Sequence, residues 1–357
     1  MIRDTRYLLV VQSRIPHPAS RIPYRELLVT GILLSKGTTA AYRDGIAAAA
    51  REAGIETRIM HLPDDPKARL AAEDSDRIEI AYFTRDIRFS AHYQAFVDTV
   101  TAAANLKWVH FPNAGVDQHP FLPSLAARKV RLTTSAGSNG VPVAQTAIGG
   151  LLMLARNFPH WWAAQGRREW QPMRGDAVPR DLKGQTILII GLGMVGTTVA
   201  RFCRVLGMHV IGVRRTPNKP DDTVHETHAL AALPALLPRC DWVVLACPLT
   251  PETQRIINAG TLALLPRGAR LVNVCRGGVA DEAAVIEALK NGQLGGAYLD
   301  VFEKEPLPSE SPLWDLPNVI VSPHNAQASS GNDDRAMRIF LANLVNWAQG
   351  RPLRNEF

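Results

Sequence analysis

The segment "TILIIGLGMVGTTVARFCRVLG", residues 186–207, begins as an apolar, β-rich run and continues with a helical pattern. Gly191, Gly193 and Gly196 connect the two parts with the spacing G-x-G-x-x-G. In such a strand–turn–helix, the first glycine permits a tight turn, the second lets the backbone approach a pyrophosphate, and the third lets helix and strand pack closely. Met194 and Val195 open the helix, where N–H groups without helical partners attract phosphate. The segment therefore predicts a dinucleotide-binding turn.

The next strand, "HVIGV", ends in basic residues where an acidic residue is expected. In this fold, a carboxylate about 20 residues past the glycines binds the ribose 2′-hydroxyl of the adenosine. Here the chain has Arg214, Arg215 and Thr216, with Asn218 shortly after. A guanidinium binds phosphate through charge-assisted hydrogen bonds, whereas a carboxylate repels it. We expect NADP(H) to be preferred and NAD(H) to be usable; two solvated arginines are the alternative interpretation.

Strand and helix patterns alternate along most of the sequence. The second half contains apolar strands at "TILIIG", "HVIGV", "DWVVLAC", "ARLVNVC", "GAYLDVF" and "NVIVSPH", and the first half contains the helical "AYRDGIAAAAREAG" and the buried strand "RIEIAYFT". Such alternation is typical of parallel sheets covered by helices on both faces. The sequence predicts the α/β class, with two Rossmann-like domains built on doubly wound parallel sheets. A length of 357 residues fits two domains.

The composition narrows the classes of partner. The net charge of +7 suits an anionic ligand, but no run of five basic residues occurs, so we expect no nucleic-acid partner. No apolar stretch approaches the roughly 18 residues of a membrane span, and the apolar run near the N-terminus is too short for a signal peptide. The 4 cysteines lack CxxC spacing and a zinc pattern, so we expect reduced thiols, no metal and a cytoplasmic location.

Three polar residues each follow a strand of the second half. Arg276 follows "ARLVNVC", Glu305 lies in the loop after "GAYLDVF", and His324 ends "NVIVSPH". Open α/β sheets bind ligands outside the carboxyl ends of their strands, so these side chains are expected to converge beside a nicotinamide. Taken singly, each also has an ordinary interpretation: a surface arginine, a solvated glutamate and a capping histidine.

Several segments occur in an order that is specific to one protein family: "LKWVHFPNAGVD", "VPVAQTAIGGLLMLARN", "GLGMVG", "CPLTPET", "NVCRGG", "LDVFEKEPL" and "SPHNA". In this order the chain resembles the D-isomer-specific 2-hydroxyacid dehydrogenases. The resemblance implies NAD(P)H-dependent reduction of a small 2-keto acid, of the glyoxylate or hydroxypyruvate type, to a D-2-hydroxy acid. It implies a discontinuous, flavodoxin-like substrate domain, residues 1–141 plus 325–357, and a dinucleotide-binding domain, residues 142–324. It also implies a homodimer, formed through the helix from Pro142 and the tryptophan-rich arm after it. Packing of Trp161, Trp162 and Trp170 on the chain itself is the alternative.

The resemblance assigns roles to the three polar residues. Arg276 would hold the substrate carboxylate and polarise the carbonyl, since a guanidinium fork suits a planar carboxylate. His324 would give a proton to the carbonyl oxygen during reduction and remove it during oxidation. Glu305 would hydrogen-bond the imidazole, fix the orientation of the ring and favour its protonated form.

Further residues follow from their position in the family pattern. The N–H groups of Ala114 and Gly115 would bind the substrate carboxylate, an ordinary turn being the alternative. Thr84 and Arg85 end a strand that can face the substrate, and a surface position for Arg85 is the alternative. The expected cofactor contacts follow strands of the second half and comprise Cys247, Pro248, Thr253, Cys275 and Asp300. Asp300 would take the nicotinamide carboxamide, although backbone donors would also satisfy a buried aspartate. For both cysteines, core packing is the alternative.

The sequence departs from the family pattern in places. Gln145 stands where the family usually has glutamate, the acid after the second strand is absent, and the first 75 residues match poorly. Two other functions stay open. One is a family member that acts on formate or phosphite, but formate enzymes of the family carry glutamine at the Glu305 position. The other is a cofactor-sensing, corepressor-like regulatory protein on the same fold, because fold alone does not determine function.

Overall fold

The structure is a computed structural model that describes residues 29–116, 119–216 and 223–357. Within these residues, five strands form one parallel sheet and seven strands form a second. Helices lie between most consecutive strands of both sheets. The prediction of an α/β protein with two parallel-sheet domains is confirmed.

The first sheet uses the N-terminal part of the described chain. Its strands are β1 (Val29–Leu33), β2 (Glu56–Met60), β3 (Ile78–Tyr82), β4 (Trp108–Phe111) and β5 (Arg131–Thr134). The helices between them are α1 (Lys36–Ala53), α2 (Ala72–Ser75), α3 (Arg85–Arg88), α4 (Tyr93–Ala102) and α5 (Leu122–Ala127). The strand order is β2-β1-β3-β4-β5, the flavodoxin-like order of a doubly wound sheet.

The ends of α1 follow from local chemistry. The Ser35 side chain accepts a hydrogen bond from the N–H of Thr38 at 3.0 Å, which satisfies one of the N–H groups left free at a helix start. Gly54 ends the helix with a φ of +68°, a left-handed conformation that glycine adopts without a Cβ penalty. The glycine stop predicted for this helix is at the same residue.

The second sheet uses the C-terminal part. Its strands are β6 (Thr186–Ile190), β7 (His209–Val213), β8 (Glu226–His228), β9 (Trp242–Leu245), β10 (Ala269–Asn273), β11 (Leu294–Leu299) and β12 (Val319–Val321). The helices of this part are α6 (Gly140–Ala155), α7 (Phe158–Gly166), α8 (Met194–Val205), α9 (Leu233–Leu236), α10 (Ala259–Ala263) and α11 (Glu282–Lys290). The order β8-β7-β6-β9-β10-β11-β12 is the Rossmann order with one added strand, and its reversal lies between β6 and β9.

Two helices connect the sheets. Helix α6 packs on the second sheet, where Leu151 shares a buried cluster with Val272 and Tyr298. The last helix, α12 (Asn332–Ala348), packs on the first sheet, where Phe340 shares a cluster with Trp108. The chain thus leaves the first sheet after β5 and returns to it after β12. The exact domain limits, 1–141 plus 325–357 and 142–324, stay a prediction.

Candidate active site

The glycine turn, defined here as residues 191–193, connects β6 to α8. Gly191 has a φ of +101°, and a Cβ there would lie 2.6 Å from the carbonyl oxygen of Ala246. A Cβ on Gly196 would overlap the carbonyl oxygen of Gly191, so helix and strand approach too closely for a side chain. A Cβ on Gly193 would meet no atom within 4 Å. The first and third glycines are therefore required by packing, and the second faces open space.

This turn fits the pyrophosphate of a dinucleotide. Gly193 is the N-cap of α8, and no side chain caps that end of the helix. The N–H groups of the first helical turn are therefore available to an anion, and the helix dipole favours negative charge there. Met194, in the first turn, is half exposed, with 55% of its surface accessible. Met194 and Val195 thus lie where the sequence predicted them, at the opening of the helix.

The predicted phosphate-binding residues lie at the end of β7. Arg214 is half-buried, and its N–H donates to the carbonyl oxygen of His228 at 3.0 Å. Arg215 and Thr216 are exposed. The pKa of the Glu252 carboxyl is lowered first by the Thr250 hydroxyl, which donates to it at 2.7 Å, and in smaller part by the charge of Arg215. Arg215 therefore lies close enough to Glu252, in the loop after β9, for their charges to interact. Asn218 lies outside the described residues.

The loop after β9 contains three of the predicted cofactor contacts. Cys247 is buried, Pro248 is exposed, and the buried Thr253 holds the loop together. The Thr253 hydroxyl donates to the carbonyl oxygen of Pro248 at 2.6 Å and accepts from the N–H of Thr250 at 2.8 Å. Thr253 thus fixes the shape of the loop, and its contact with the cofactor stays a prediction.

His324 and Glu305 form a direct pair. Nδ1 of His324 lies 2.6 Å from Oε2 of Glu305, and the second carboxylate oxygen accepts from the N–H of Phe302 at 3.0 Å. The imidazole is thereby oriented by one nitrogen, and Nε2 has no hydrogen-bond partner among the described residues. About 43% of the His324 side chain and 34% of the Glu305 side chain are accessible. Both side chains are therefore accessible to a ligand.

Arg276 starts the loop after β10. Its Nη1 donates to the carbonyl oxygen of Cys275 at 2.7 Å, and Asn273 donates to the Arg276 carbonyl oxygen at 3.2 Å. The neighbouring Gly277 packs so tightly that a Cβ there would overlap the backbone of Phe302. Because Phe302 also donates to Glu305, the loop of Arg276 and the loop of Glu305 are packed as one unit. Sequence reasoning missed Gly277, although its place after the candidate arginine was a signal.

Asp300 supports the histidine loop, defined as residues 322–326. Its side chain is buried, with 1% accessible surface. The carboxylate accepts from the Ser322 hydroxyl at 2.5 Å, from the N–H of Asn325 at 2.9 Å and from the N–H of Ala326 at 3.0 Å. The predicted contact with a carboxamide stays a prediction. The hydrogen bonds show that Asp300 holds the segment that carries His324, a role for which the sequence had allowed backbone donors.

The loops after β3 and β4 of the first sheet contain the other predicted site residues. Ala114 is exposed and Gly115 is half-buried in the loop after β4, and Thr84 follows β3. The Thr84 hydroxyl is the one buried side-chain polar atom without a partner among the described residues. It lines a cavity of about 220 Å³ that Arg85 also borders. A polar group in this cavity would satisfy the hydroxyl.

The described residues contain no group of three or more His, Cys, Asp or Glu side chains that would hold a metal ion. In the same part of the chain, no helix has the length and apolar character needed to cross a bilayer.

Comparison with known proteins agrees with this geometry. The model of the family described as D-isomer specific 2-hydroxyacid dehydrogenase, NAD binding domain, matches residues 148–326. The chain belongs to this family. A structure of a D-isomer specific 2-hydroxyacid dehydrogenase family protein from Aeromonas salmonicida subsp. salmonicida is 32% identical, with a TM-score of 0.74, and the match covers 92% of this chain and 98% of that one.

Two further relatives carry more specific names. The NADPH-dependent glyoxylate/hydroxypyruvate reductase from Sinorhizobium meliloti, solved with NADP and sulfate, is 31% identical, with a TM-score of 0.68 and coverage of 93% of this chain and 98% of that one. The D-3-phosphoglycerate dehydrogenase of Methanocaldococcus jannaschii is 34% identical over 261 residues, 72% of this chain and 48% of that protein. The chain therefore spans about half the length of the curated relatives it matches.

Proposed function

We propose that this chain reduces a small 2-keto acid to a D-2-hydroxy acid with a dihydronicotinamide dinucleotide. The observation that carries the proposal is the His324–Glu305 pair, at 2.6 Å, on loops that follow strands of the same sheet as the glycine turn. A reduced nicotinamide, when bound, supplies the hydride. The residues of the chain then have to bind the acid, orient its carbonyl and deliver one proton.

His324 is suited to the proton transfer. When both ring nitrogens carry protons, Nδ1–H donates to the Glu305 carboxylate and Nε2–H is left for the substrate oxygen. The hydrogen bond to Glu305 fixes the ring plane, so the proton is delivered in one direction. The reverse reaction uses the same nitrogen as the base that removes the hydroxyl proton.

Arg276 and the loop after β4 are suited to the acid. A guanidinium presents a planar fork of donors that matches a carboxylate and also stabilises negative charge that develops on the carbonyl oxygen. The N–H groups of Ala114 and Gly115 would add neutral donors from the first sheet. A short keto acid of the glyoxylate or hydroxypyruvate type requires no further anion site. The Sinorhizobium meliloti relative, named for those two substrates, supports this choice.

For the cofactor we propose a preference for NADP(H), with NAD(H) as a weaker alternative. Arg214 and Arg215 stand at the end of β7, with Thr216 after them. Two guanidinium groups attract the 2′-phosphate that distinguishes the two cofactors. The solved relative from Sinorhizobium meliloti that contains NADP supports the preference.

We also propose a cytoplasmic homodimer. Helix α6 is followed by α7, which contains Trp161 and Trp162, and then by an arm that contains Trp170. The accessible surface of these side chains is 40%, 45% and 95%. Large apolar side chains exposed together favour contact with another protein surface. Light scattering on the purified chain tests this directly: twice the mass of one chain is expected, and the mass of a single chain would contradict it.

The enzymatic proposal is tested with a panel of 2-keto acids. Glyoxylate, hydroxypyruvate, its 3-phospho derivative and pyruvate are each offered with NADPH and with NADH, and nicotinamide absorbance is followed. We expect turnover of the short acids, faster with NADPH. His324→Ala is expected to lower kcat by about 10²- to 10⁴-fold, while NADPH binding survives. If none of the acids is turned over, the proposal is wrong. If kcat is unchanged in His324→Ala, His324 does not transfer the proton.

A further inference from the structure

Two of the cysteines meet where adjacent strands of the second sheet end. In the pairing of β9 with β10, Leu245 lies opposite Asn273. Cys247 and Cys275 each follow this pair by two residues, and the N–H of Val274, just past β10, donates to the carbonyl oxygen of Leu245 at 3.4 Å. Neighbouring strands lie about 4.8 Å apart, which falls within the roughly 4.4–6.8 Å that separates the Cα atoms of a disulfide.

The two side chains also contact each other. The thiols of Cys247 and Cys275 lie close enough to shift each other's pKa. The Cys275 thiol lowers the pKa of Cys247, while burial first and the Cys247 thiol second raise the pKa of Cys275. The Cys275 sulfur additionally lies 3.2 Å from Oδ1 of Asn273. Neither cysteine belongs to a disulfide in the structure.

The remaining two cysteines have no other thiol among the groups that shift their pKa. Burial raises the pKa of Cys203 to about 12, and burial likewise raises the pKa of Cys240 to about 12. Cys203 packs inside the cluster of α8, and the Cys240 sulfur donates to the carbonyl oxygen of Leu236 at 3.2 Å. A thiol held in its neutral form is a poor nucleophile. The chain therefore offers two inert cysteines as internal references.

We propose that Cys247 and Cys275 are a modification site, a dithiol that hydrogen peroxide oxidises to an intramolecular disulfide. The Cys247 thiolate attacks one peroxide oxygen, the O–O bond breaks, and the leaving hydroxide takes up a proton to become water. The Cys275 sulfur then attacks the resulting sulfenic acid, forming the S–S bond, and the second water leaves with the Cys275 proton. The two thiols lose two electrons and the peroxide gains them.

The two cysteines lie next to the glycine turn and to Arg276, so a disulfide between them would affect the expected cofactor site. A Cβ on Gly191 of the glycine turn would lie 2.8 Å from the Cα of Cys247, and Cys275 directly precedes Arg276. A bond between the sulfurs would hold the loops after β9 and β10 together at the edge where the nicotinamide is expected. This step rests on the proposed function: oxidation is expected to weaken NADPH binding and stop turnover, and bound NADPH is expected to protect the pair.

The disulfide itself is tested by mass spectrometry, independently of any activity. The full chain is treated with hydrogen peroxide, denatured, alkylated and weighed, and we expect two alkylated thiols fewer and the loss of two hydrogens. Tryptic peptides 240–255 and 271–276 are expected to be cross-linked. Because the first peptide also contains Cys240, the experiment is repeated on Cys240→Ser, in which a hydroxyl can keep the hydrogen bond to Leu236. Cys275→Ser is expected to give no cross-link.

The outcomes separate the two claims. Four alkylated thiols after peroxide, or over-oxidised Cys247 without a cross-link in the parent chain, would overturn the modification site. A cross-link that leaves NADPH binding unchanged would keep the dithiol and reject its link to the cofactor. A cross-link in a chain that turns over no 2-keto acid would keep the dithiol while the proposed function fails. The full expected result is that peroxide weakens NADPH binding by the parent and that dithiothreitol restores it. The Cys275→Ser variant is expected to show no loss of binding that dithiothreitol reverses.

Discussion

The backbone N–H of His324 donates to the carbonyl oxygen of Asp300 at 2.8 Å, and the Asp300 carboxylate accepts from the N–H groups of the two residues that follow His324. His324 itself has a φ of +49°, in the left-handed region that non-glycine residues rarely adopt. The buried Asp300 side chain therefore holds the loop in a conformation that is unfavourable for a non-glycine residue. Asp300 thereby positions His324.

Asp300→Asn is expected to separate this role from a direct contact with the cofactor. One oxygen becomes an NH₂ group that faces N–H donors, and the lost hydrogen bonds cost about 1–3 kcal/mol of stability. Displacement of His324 is expected to lower kcat by up to about 100-fold and to alter the pH profile. NADPH affinity is expected to change little, as measured by fluorescence titration.

The exposed Asp315 provides the matched control, since Asp315→Asn removes a carboxylate from the same region without a buried partner. Asp315→Asn is expected to have the kcat, pH profile and NADPH affinity of the parent. Loss of NADPH affinity at unchanged kcat in Asp300→Asn would instead assign the carboxylate to the carboxamide.

Two glycines of the dinucleotide motif are expected to respond differently to the same substitution. In Gly193→Ala the new methyl group meets no atom within 4 Å, so the melting temperature is expected to stay near that of the parent. The methyl group lies where a pyrophosphate must approach, and NADPH binding is expected to weaken at least about tenfold. In Gly196→Ala the methyl group overlaps the Gly191 backbone, and unfolding is expected to become easier. Thermal denaturation and NADPH titration of both variants check this; equal melting temperatures would contradict it.

Much of this site follows from the order of apolar runs along the sequence. Buried parallel strands are near-continuous runs of apolar residues, so the sequence alone shows where each strand ends. These strand ends locate Arg276, Glu305 and His324. The three glycines are equally recognisable because their spacing is fixed, with a strand before them and a helix after them.

Other features depend on contacts between distant segments. The packing of Gly277 against Phe302 and the hydrogen bonds of Asp300 to the histidine loop join residues of different strands. The pairing of Cys247 with Cys275 depends on the register of β9 against β10. Composition and periodicity predict that strands exist, but a shift of the register would change these contacts without changing the pattern. This explains why the cysteines were predicted as separate cofactor neighbours.

The cofactor preference is expected to depend on the end of β7. Replacement of Arg214 and Arg215 by alanine removes charge-assisted hydrogen bonds to the 2′-phosphate, each worth about 1.5–3 kcal/mol. NADPH affinity is expected to fall by about tenfold or more, whereas NADH affinity changes little, and the loss is expected to shrink as ionic strength rises. The exposed Arg201 on α8 is the control, since Arg201→Ala removes a surface charge of the same sign. Equal losses for both cofactors would argue against recognition of the 2′-phosphate.

Stability in acid is expected to depend on His110, a buried histidine on β4. Its ring nitrogens lie 2.7 Å from the Thr133 hydroxyl and 2.9 Å from the Ser135 hydroxyl, and burial lowers its pKa to about 3. In an unfolded chain a histidine has a pKa of about 6.5. Between these values the unfolded state binds the additional proton, so the free energy of unfolding falls as pH decreases, by up to about 1.4 kcal/mol per pH unit.

His110→Gln removes this proton linkage while an amide can still meet one of the two hydroxyls. The variant is expected to be less stable than the parent above pH 7, because packing and one hydrogen bond are lost. The difference is expected to narrow as pH falls from about 6.5 to 4, because only the parent loses stability through protonation of this ring. Urea unfolding at several pH values measures it, with His160→Gln, at a half-buried site, as the control. Parallel curves for parent and His110→Gln would mean that His110 binds its proton equally in both states.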